Sequence, residues 1–209
     1  MFTEPTTMIT DFLMAAVLLV LSALLLKTGR RGKQISVKIW CAAFFTLGTA
    51  SITAGISHGF KQILVASTII VIWNITVILV GLGGFLMLSG VLTSLFKGSL
   101  RRLLVIVAGA KFILYIIFIL ESSKYIYVIF DYGSALLIIL LLEIYAAIFK
   151  RLKGAFWIIS GVVVAFIAAD VQQSGIVFHK YFNFNDLYHI INIMAFYLIY
   201  RGIRDLAKS

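Results

Sequence analysis

Seven long apolar stretches follow one another along the chain, and this succession constrains the fold more than any other feature. Each is close to the ~20 residues that an α-helix needs to cross a bilayer. With 62% hydrophobic and 12% charged residues among 209, the chain is too apolar for a soluble domain. We predict an all-α polytopic membrane protein, a single seven-transmembrane-helix domain over residues 1–209. The predicted helices cover residues 8–26, 36–58, 63–88, 102–120, 124–148, 154–178 and 185–202.

The basic residues alternate between the connections and so predict the orientation of the helices. Fourteen of the 18 Lys and Arg residues lie in the first, third and fifth connections and in the C-terminal tail. The remaining four are Lys61, Lys124 and Lys180 on the other side, and Lys111 within the fourth stretch. Short loops rich in Lys and Arg stay in the cytoplasm, which predicts an N-terminus outside and a C-terminus inside. Topology thus accounts for the net charge of +10, and nucleic acid is not predicted as a partner.

A polar run opens the seventh stretch and contrasts with the apolar remainder of the chain. Residues 179–189 contain two histidines, an aspartate and two asparagines. Side chains three and four residues apart share one face of a helix, so the seventh helix would carry a polar face. That face is formed by Asn185, Asp186, His189 and Asn192. Polar side chains inside a membrane usually face the interior of the bundle and mark a functional site.

Most ionisable residues inside the stretches lie near the predicted outer surface. His58 ends the second stretch, Asp131 lies about two turns into the fifth, and Asp170 lies about two turns before the outer end of the sixth. Asp186 and His189 lie in the first turns of the seventh. This clustering at one depth predicts a polar cavity that opens towards the outer leaflet.

Less specific roles are open for several of these residues. Asp131 and Asp170 could be hydrogen-bonding groups that join helices. A histidine at a helix end is often interfacial, and His179 lies in a connection. Glu143, in the inner half, is expected to make a polar helix–helix contact or to pair with the basic connections.

The outer cluster would also suit metal-assisted hydrolysis. Two histidines and a carboxylate are enough to hold zinc and leave one position open for water. Zinc lowers the pKa of its bound water to ~7 and makes that water a nucleophile. Ser51 could stabilise an oxyanion, and a further aspartate could act as general base. The ligands would have to converge from the second, sixth and seventh stretches, and the chain has neither HExxH nor CxxC spacing.

The pattern resembles the CREST superfamily, which includes alkaline ceramidases and adiponectin-receptor-like proteins. The resemblance is carried by seven helices with the N-terminus outside, by Ser51 and His58 at the end of helix 2, and by the Asn185-Asp186-Leu187-Tyr188-His189 run that opens helix 7. It implies a zinc ion held by histidines of helices 2 and 7. It also implies hydrolysis of an amide or ester bond in a membrane lipid.

The chain departs from the superfamily at three places. The superfamily usually has Ser-x-x-x-His in helix 2, whereas Ala54 stands four residues before His58. It usually has His-x-x-x-His in helix 7, whereas Asn185 stands four residues before His189 and Ile193 four after. The aspartate of helix 3 is absent, and Asn74 is the nearest polar residue. A carboxylate or His179 would have to complete the ligand set.

The leading hypothesis is therefore an integral-membrane, zinc-dependent lipid amidase or esterase. Its predicted ligands are the two histidines with one of two aspartates, namely His58, His189, Asp170 and Asp186. Ser51 would stabilise the oxyanion and Asp131 would take the proton. The alternative is a non-enzymatic sensor or receptor that binds a lipid or small ligand in the same cavity. A retinal protein is disfavoured because the seventh stretch lacks a lysine, and a transporter because the polar groups lie on one side. The oligomeric state is not predicted.

Overall fold

A computed structural model describes residues 2–32, 34–122, 124–179 and 181–207. These residues form seven α-helices and one short β-hairpin. The helices are α1 (Pro5–Gly32), α2 (Ile35–Phe60), α3 (Ala66–Leu95), α4 (Gly98–Ser122), α5 (Tyr125–Phe149), α6 (Lys153–Ser174) and α7 (Phe184–Leu206). The hairpin joins α6 to α7 and pairs β1 (Val177–His179) with β2 (Phe182–Asn183) in antiparallel register. The basic residues of the connections and the tail that lie outside the described part are Lys33, Lys180 and Lys208, together with the side chains of Arg30 and Arg31.

The multi-pass prediction is confirmed for six of the described helices. α1 to α6 are each long and apolar enough to cross a membrane, and six such helices fit a multi-pass membrane protein. α7 carries the polar run and does not reach the same hydropathy over the described residues. A seventh span and the orientation of the termini stay predictions.

All the predicted helix boundaries differ from the observed ones, by one to seven residues, and the ends of the sixth and third helices are two clear cases. The sixth helix was expected to reach residue 178 but ends at Ser174, because Gly175 takes the left-handed backbone conformation (φ +67°) that terminates helices. The hairpin follows. The third helix was expected to end near residue 88 but continues to Leu95. Its buried glycines are tolerated inside the helix because the side chains of neighbouring helices pack directly on them.

Six of the helices form a closed ring, and the fourth lies outside it. Contacts run in the order α1, α2, α3, α5, α6, α7 and back to α1. α4 packs on the outer side of α3 and α5 and is the least buried of the six candidate spans. Large side chains such as Phe44, Met87 and Ile199 fill the ring between its ends.

The two ends of the ring differ in chemistry. α1, α3, α5 and α7 begin, and α2, α4 and α6 end, at what we call the polar end. The opposite end, which we call the basic end, holds the connections between α1 and α2, α3 and α4, and α5 and α6, and the end of α7. All the residues proposed from sequence as site residues lie in the half of the chain's helices nearer the polar end.

Close packing of α6 against α7 fixes the position of the seventh helix. A Cβ atom on Gly202 would lie 2.6 Å from the carbonyl oxygen of Gly154, and one on Gly161 would lie 2.7 Å from that of Ala195. Both distances are too short for a real side chain, so these contacts require glycine. Small residues of this kind let membrane helices approach backbone to backbone. The start of α7 is thereby held over the interior of the ring.

Candidate functional site

The N-terminus of α7 is fixed by a reciprocal pair of hydrogen bonds. The backbone N–H of Asn185 donates to the Asn183 side-chain oxygen at 2.8 Å. The backbone N–H of Asn183 donates to Oδ2 of Asp186 at 2.7 Å. This is a capping box, which satisfies otherwise unpaired N–H groups at a helix start. Asp186 is fully buried, so its carboxylate acts within the protein interior.

α1 supplies the partners of the polar face of α7. The Thr7 hydroxyl donates to Oδ1 of Asp186 at 2.9 Å. One turn further along α1, Oγ1 of Thr10 lies 2.9 Å from Nδ1 of His189. The Thr10 hydroxyl also donates to the backbone oxygen of Thr7 at 3.0 Å. Its single proton is then committed, so Nδ1 of His189 is assigned as the donor to Thr10.

A buried aspartate faces the other ring nitrogen of His189. Oδ1 of Asp11 lies 3.3 Å from Nε2 of His189, and both side chains are almost completely buried. Neither oxygen of Asp11 has a hydrogen-bond partner among the described residues. A bare carboxylate beside a bare imidazole nitrogen would be repulsive, so the contact is favourable only when the pair holds one proton between its members. A proton shared by the two side chains would make this buried contact favourable.

His58 is held by the segment that precedes α1. Nδ1 of His58 lies 2.8 Å from Oε2 of Glu4, and the imidazole meets the Trp73 ring edge-on. The hydrogen bond from His58 is the main cause that lowers the pKa of the Glu4 carboxyl below its usual value. The backbone N–H of Glu4 also donates to the carbonyl oxygen of His58 at 3.2 Å. The chain before α1 is thus tied to the end of α2.

A cavity of about 480 Å³ lies inside the ring next to these contacts. It is lined by residues of α1, α2, α3, α5, α6 and α7, and not by α4. Its polar lining residues are Ser51, His58, Thr76, Tyr125, Tyr132, Gln172, Gln173, Asn185, Tyr188, His189 and Asn192. Along α7 the lining extends from Phe184 to Phe196, about 18 Å at 1.5 Å per residue. The cavity is therefore elongated along the helix axes.

Three of the residues proposed from sequence meet at this cavity. Ser51, His58 and His189 all line it, although they come from helices far apart in the chain. The Ser51 hydroxyl donates to the backbone oxygen of Leu47 at 3.0 Å. Asp186 is buried one turn before His189 but does not line the cavity, since its oxygens bond to Thr7 and to the backbone of Asn183.

The other two predicted aspartates point elsewhere. Asp131 pairs with Lys111 of α4, whose ammonium group lies 2.5 Å from Oδ1 and also donates to the Asp131 backbone oxygen at 2.7 Å. Asp170 is exposed on α6. Neither lines the cavity. The Asp131–Lys111 pair joins α4 to the ring, which matches the joining role considered for Asp131 and not the catalytic one.

The predicted zinc ligands do not converge on one point where they could hold a metal ion together. Within the described part of the chain, no three His, Cys, Asp or Glu side chains are grouped so that they could hold a metal ion. Both nitrogens of His189 face α1, and both oxygens of Asp186 accept hydrogen bonds. Zinc binding by these residues therefore stays a prediction.

A comparison with known families places the chain. A model described as a family of unknown function (DUF6962) matches residues 6–208, nearly the whole chain. The protein belongs to the DUF6962 family. No curated protein and no solved structure matches it. The match to this DUF6962 protein covers α1 to α7, including every residue of the contacts around His189, and leaves the CREST resemblance a prediction.

Sequence reasoning missed the α1 side of the site. Thr7, Thr10 and Asp11 lie at positions i, i+3 and i+4, which places them on one face of α1. This spacing within the first turns of an apolar stretch is the same signal that identified the polar face of α7. Asp11 in particular lies inside the predicted span 8–26. An aspartate there predicts a buried partner.

Replacement of Asp186 by alanine is expected to destabilise this DUF6962 protein. The change removes the acceptor for Thr7 and for the Asn183 N–H, and a buried donor without a partner costs ~1–3 kcal/mol. Asp170→Ala is the matched control, because that aspartate is exposed and exposed sites usually change stability by no more than ~0.5 kcal/mol. Thermal unfolding in one detergent measures both. Equal unfolding midpoints for the two variants would contradict the assigned contacts.

Proposed function

We propose that the protein binds a lipid or a similar amphipathic molecule in the 480 Å³ cavity. The main support for this proposal is the way polar and apolar residues are distributed along the cavity wall. His58, Gln173 and Asn185 lie at the polar end, and Ser51 and Asn192 lie about two turns deeper. Beyond that depth the lining is apolar and consists of Leu18, Leu47, Val80 and Phe196.

The gradient suits a molecule with a polar head and an apolar tail. Burial of apolar surface contributes ~0.8 kcal/mol per methylene, so an acyl chain seated against the deep wall would supply most of the affinity. Amide and imidazole groups at the polar end would fix the head by hydrogen bonds, as a few polar groups do in most ligand sites. The cavity volume falls within the ~300–1,000 Å³ range of such sites. Binding of this kind would suit a sensor or receptor role in the membrane.

Filling the cavity is expected to displace the ligand. Ala54 lines the cavity, and a phenylalanine there would occupy space that the ligand needs. Ala42→Phe is the matched control on the same helix, because Ala42 is exposed on the outer surface of α2. Mass spectrometry of lipids that co-purify with the full chain gives the readout. We expect one lipid class to be enriched with wild type and Ala42→Phe and lost from Ala54→Phe. Identical lipid profiles from all three proteins would contradict the proposal.

A second candidate is hydrolysis of a lipid amide or ester in the same cavity. The observation that favours it is the buried contact between Asp11 and His189, because the His189 ring also borders the cavity in which a lipid head would lie. In such a reaction water adds to the carbonyl carbon, the C–N or C–O bond breaks, and a proton passes to the leaving amine or alcohol. His189 would transfer that proton once its ring turns from Asp11 towards the cavity, and Ser51 would donate to the oxyanion once its hydroxyl turns from the Leu47 carbonyl. Zinc, with His58, His189, Asp170 and Asp186 as its predicted ligands, stays an expectation from sequence.

Turnover separates the two candidates. If the protein is a hydrolase, purified wild type releases fatty acid from lipid amides or esters, and His189→Ala lowers the rate by about a hundredfold or more, the contribution of a positioned acid–base group. His179→Ala is the matched control, since His179 is exposed in β1 and does not line the cavity. Metal content measured on the same samples tests the zinc prediction independently. Absence of product with wild type would contradict hydrolysis and leave the binding proposal standing. Equal loss in both histidine variants would contradict the role given to His189.

A further inference from the structure

A second cavity lies at the basic end, on the opposite side of the ring from the histidines. Its volume is about 660 Å³. It lies among the first turns of α2 and α4, the last turn of α3, the start of α6 and the end of α7. The lining residues are Gln34, Ile35, Ser36, Val37, Trp40, Thr93, Ser94, Lys97, Arg101, Leu152, Ile203 and Leu206. None of them lines the first cavity.

The charge of this cavity has one sign. Lys97 and Arg101 line it, and among the described residues no aspartate or glutamate does. Gly98 takes a left-handed conformation (φ +61°), which turns the chain sharply between the end of α3 and the start of α4. The turn brings Lys97 and Arg101, which are four residues apart, to the same cavity. Two cations without an acidic partner in the lining favour an anionic ligand.

Neutral donors reinforce the two cations. Hydroxyl groups of Ser36 and Thr93 line the same space. The Ser94 hydroxyl and the Gln34 amide line it too, and they donate to the backbone oxygens of Val91 and Ala207. The first turns of α2 and α4, which border the cavity, contain no acidic residue, and the N-cap residue Gln34 makes no side-chain cap hydrogen bond. The N–H groups at these helix starts add positive potential to that of Lys97 and Arg101.

The remaining lining residues are apolar and distinguish between sources of the anion. The exposed side chain of Ile35 and the partly exposed side chains of Leu152 and Leu206 give the wall its apolar surface, and Val37, Trp40 and Ile203 are buried behind it. A soluble phosphate compound has no apolar part that could be buried against this surface. The glycerol and first acyl carbons of a phospholipid would bury apolar area against it and so bind more tightly. We propose that this cavity binds the phosphate group of an anionic phospholipid, with Lys97 and Arg101 as its charged ligands.

Specific binding in this cavity differs from the general attraction of basic loops to anionic membranes in which arginines it involves. Arg102 follows Arg101 directly, carries the same charge at the same end, but is exposed and does not line the cavity. General attraction treats the two arginines alike. A site within the cavity involves Arg101 and not Arg102, because charge-assisted hydrogen bonds require the guanidinium to reach the phosphate.

The test uses the full chain in a neutral detergent and measures binding of short-chain phosphatidic acid, short-chain phosphatidylcholine and inorganic phosphate. We expect phosphatidic acid to bind best, with affinity about tenfold weaker in Arg101→Gln, weaker again when Lys97→Gln is added, and changed by less than about threefold in Arg102→Gln. Inorganic phosphate that competes for the site would support the phosphate chemistry and point to a soluble source. Equal losses in Arg101→Gln and Arg102→Gln, or no preference for phosphatidic acid over phosphatidylcholine, would overturn the proposal.

Discussion

The need to pair buried polar groups within an apolar bundle determines how this protein closes its ring. Asp186 and His189 are buried, so each is stabilised by a polar partner from a neighbouring helix. α1 provides them through Thr7, Thr10 and Asp11. These contacts join the first helix to the last. The same contacts orient His189 so that its ring borders the central cavity.

The asymmetry of the two ends gives the bundle two distinct chemistries. The cavity at the polar end is lined by amides, hydroxyls and imidazoles, with the carboxylates of Asp11 and Asp186 held just behind its wall. The cavity at the basic end is lined by Lys97 and Arg101 and, among the residues that the structure describes, by no acid. A neutral or weakly polar head would therefore be favoured at one end and a phosphate at the other. The closely packed core between them keeps the two sites separate.

Much of the helical architecture could be predicted from the sequence, because apolar stretches of spanning length and a periodic polar face are local signals. The face of Asn185, Asp186, His189 and Asn192 was recognised from spacing alone, and the structure buries three of these four residues. The partners could not be recognised in the same way. Asp131 was assigned to the outer cavity by its depth, yet it faces Lys111 of α4, because depth says nothing about which neighbour a helix face meets. Asp170 was assigned there for the same reason, and the structure leaves its side chain exposed on α6.

The central claim is that Thr7 of α1 and Asp186 of α7 are in contact beside the cavity. A short thiol cross-linker tests it most directly in a chain whose one cysteine, Cys41, is replaced by alanine. Thr7→Cys with Asp186→Cys should become linked in the full-length protein, as seen by mass spectrometry of its peptides, and Thr7→Cys with Asp170→Cys should not. A link between positions 7 and 170 without one between 7 and 186 would contradict the arrangement of α1 and α7 on which the site depends.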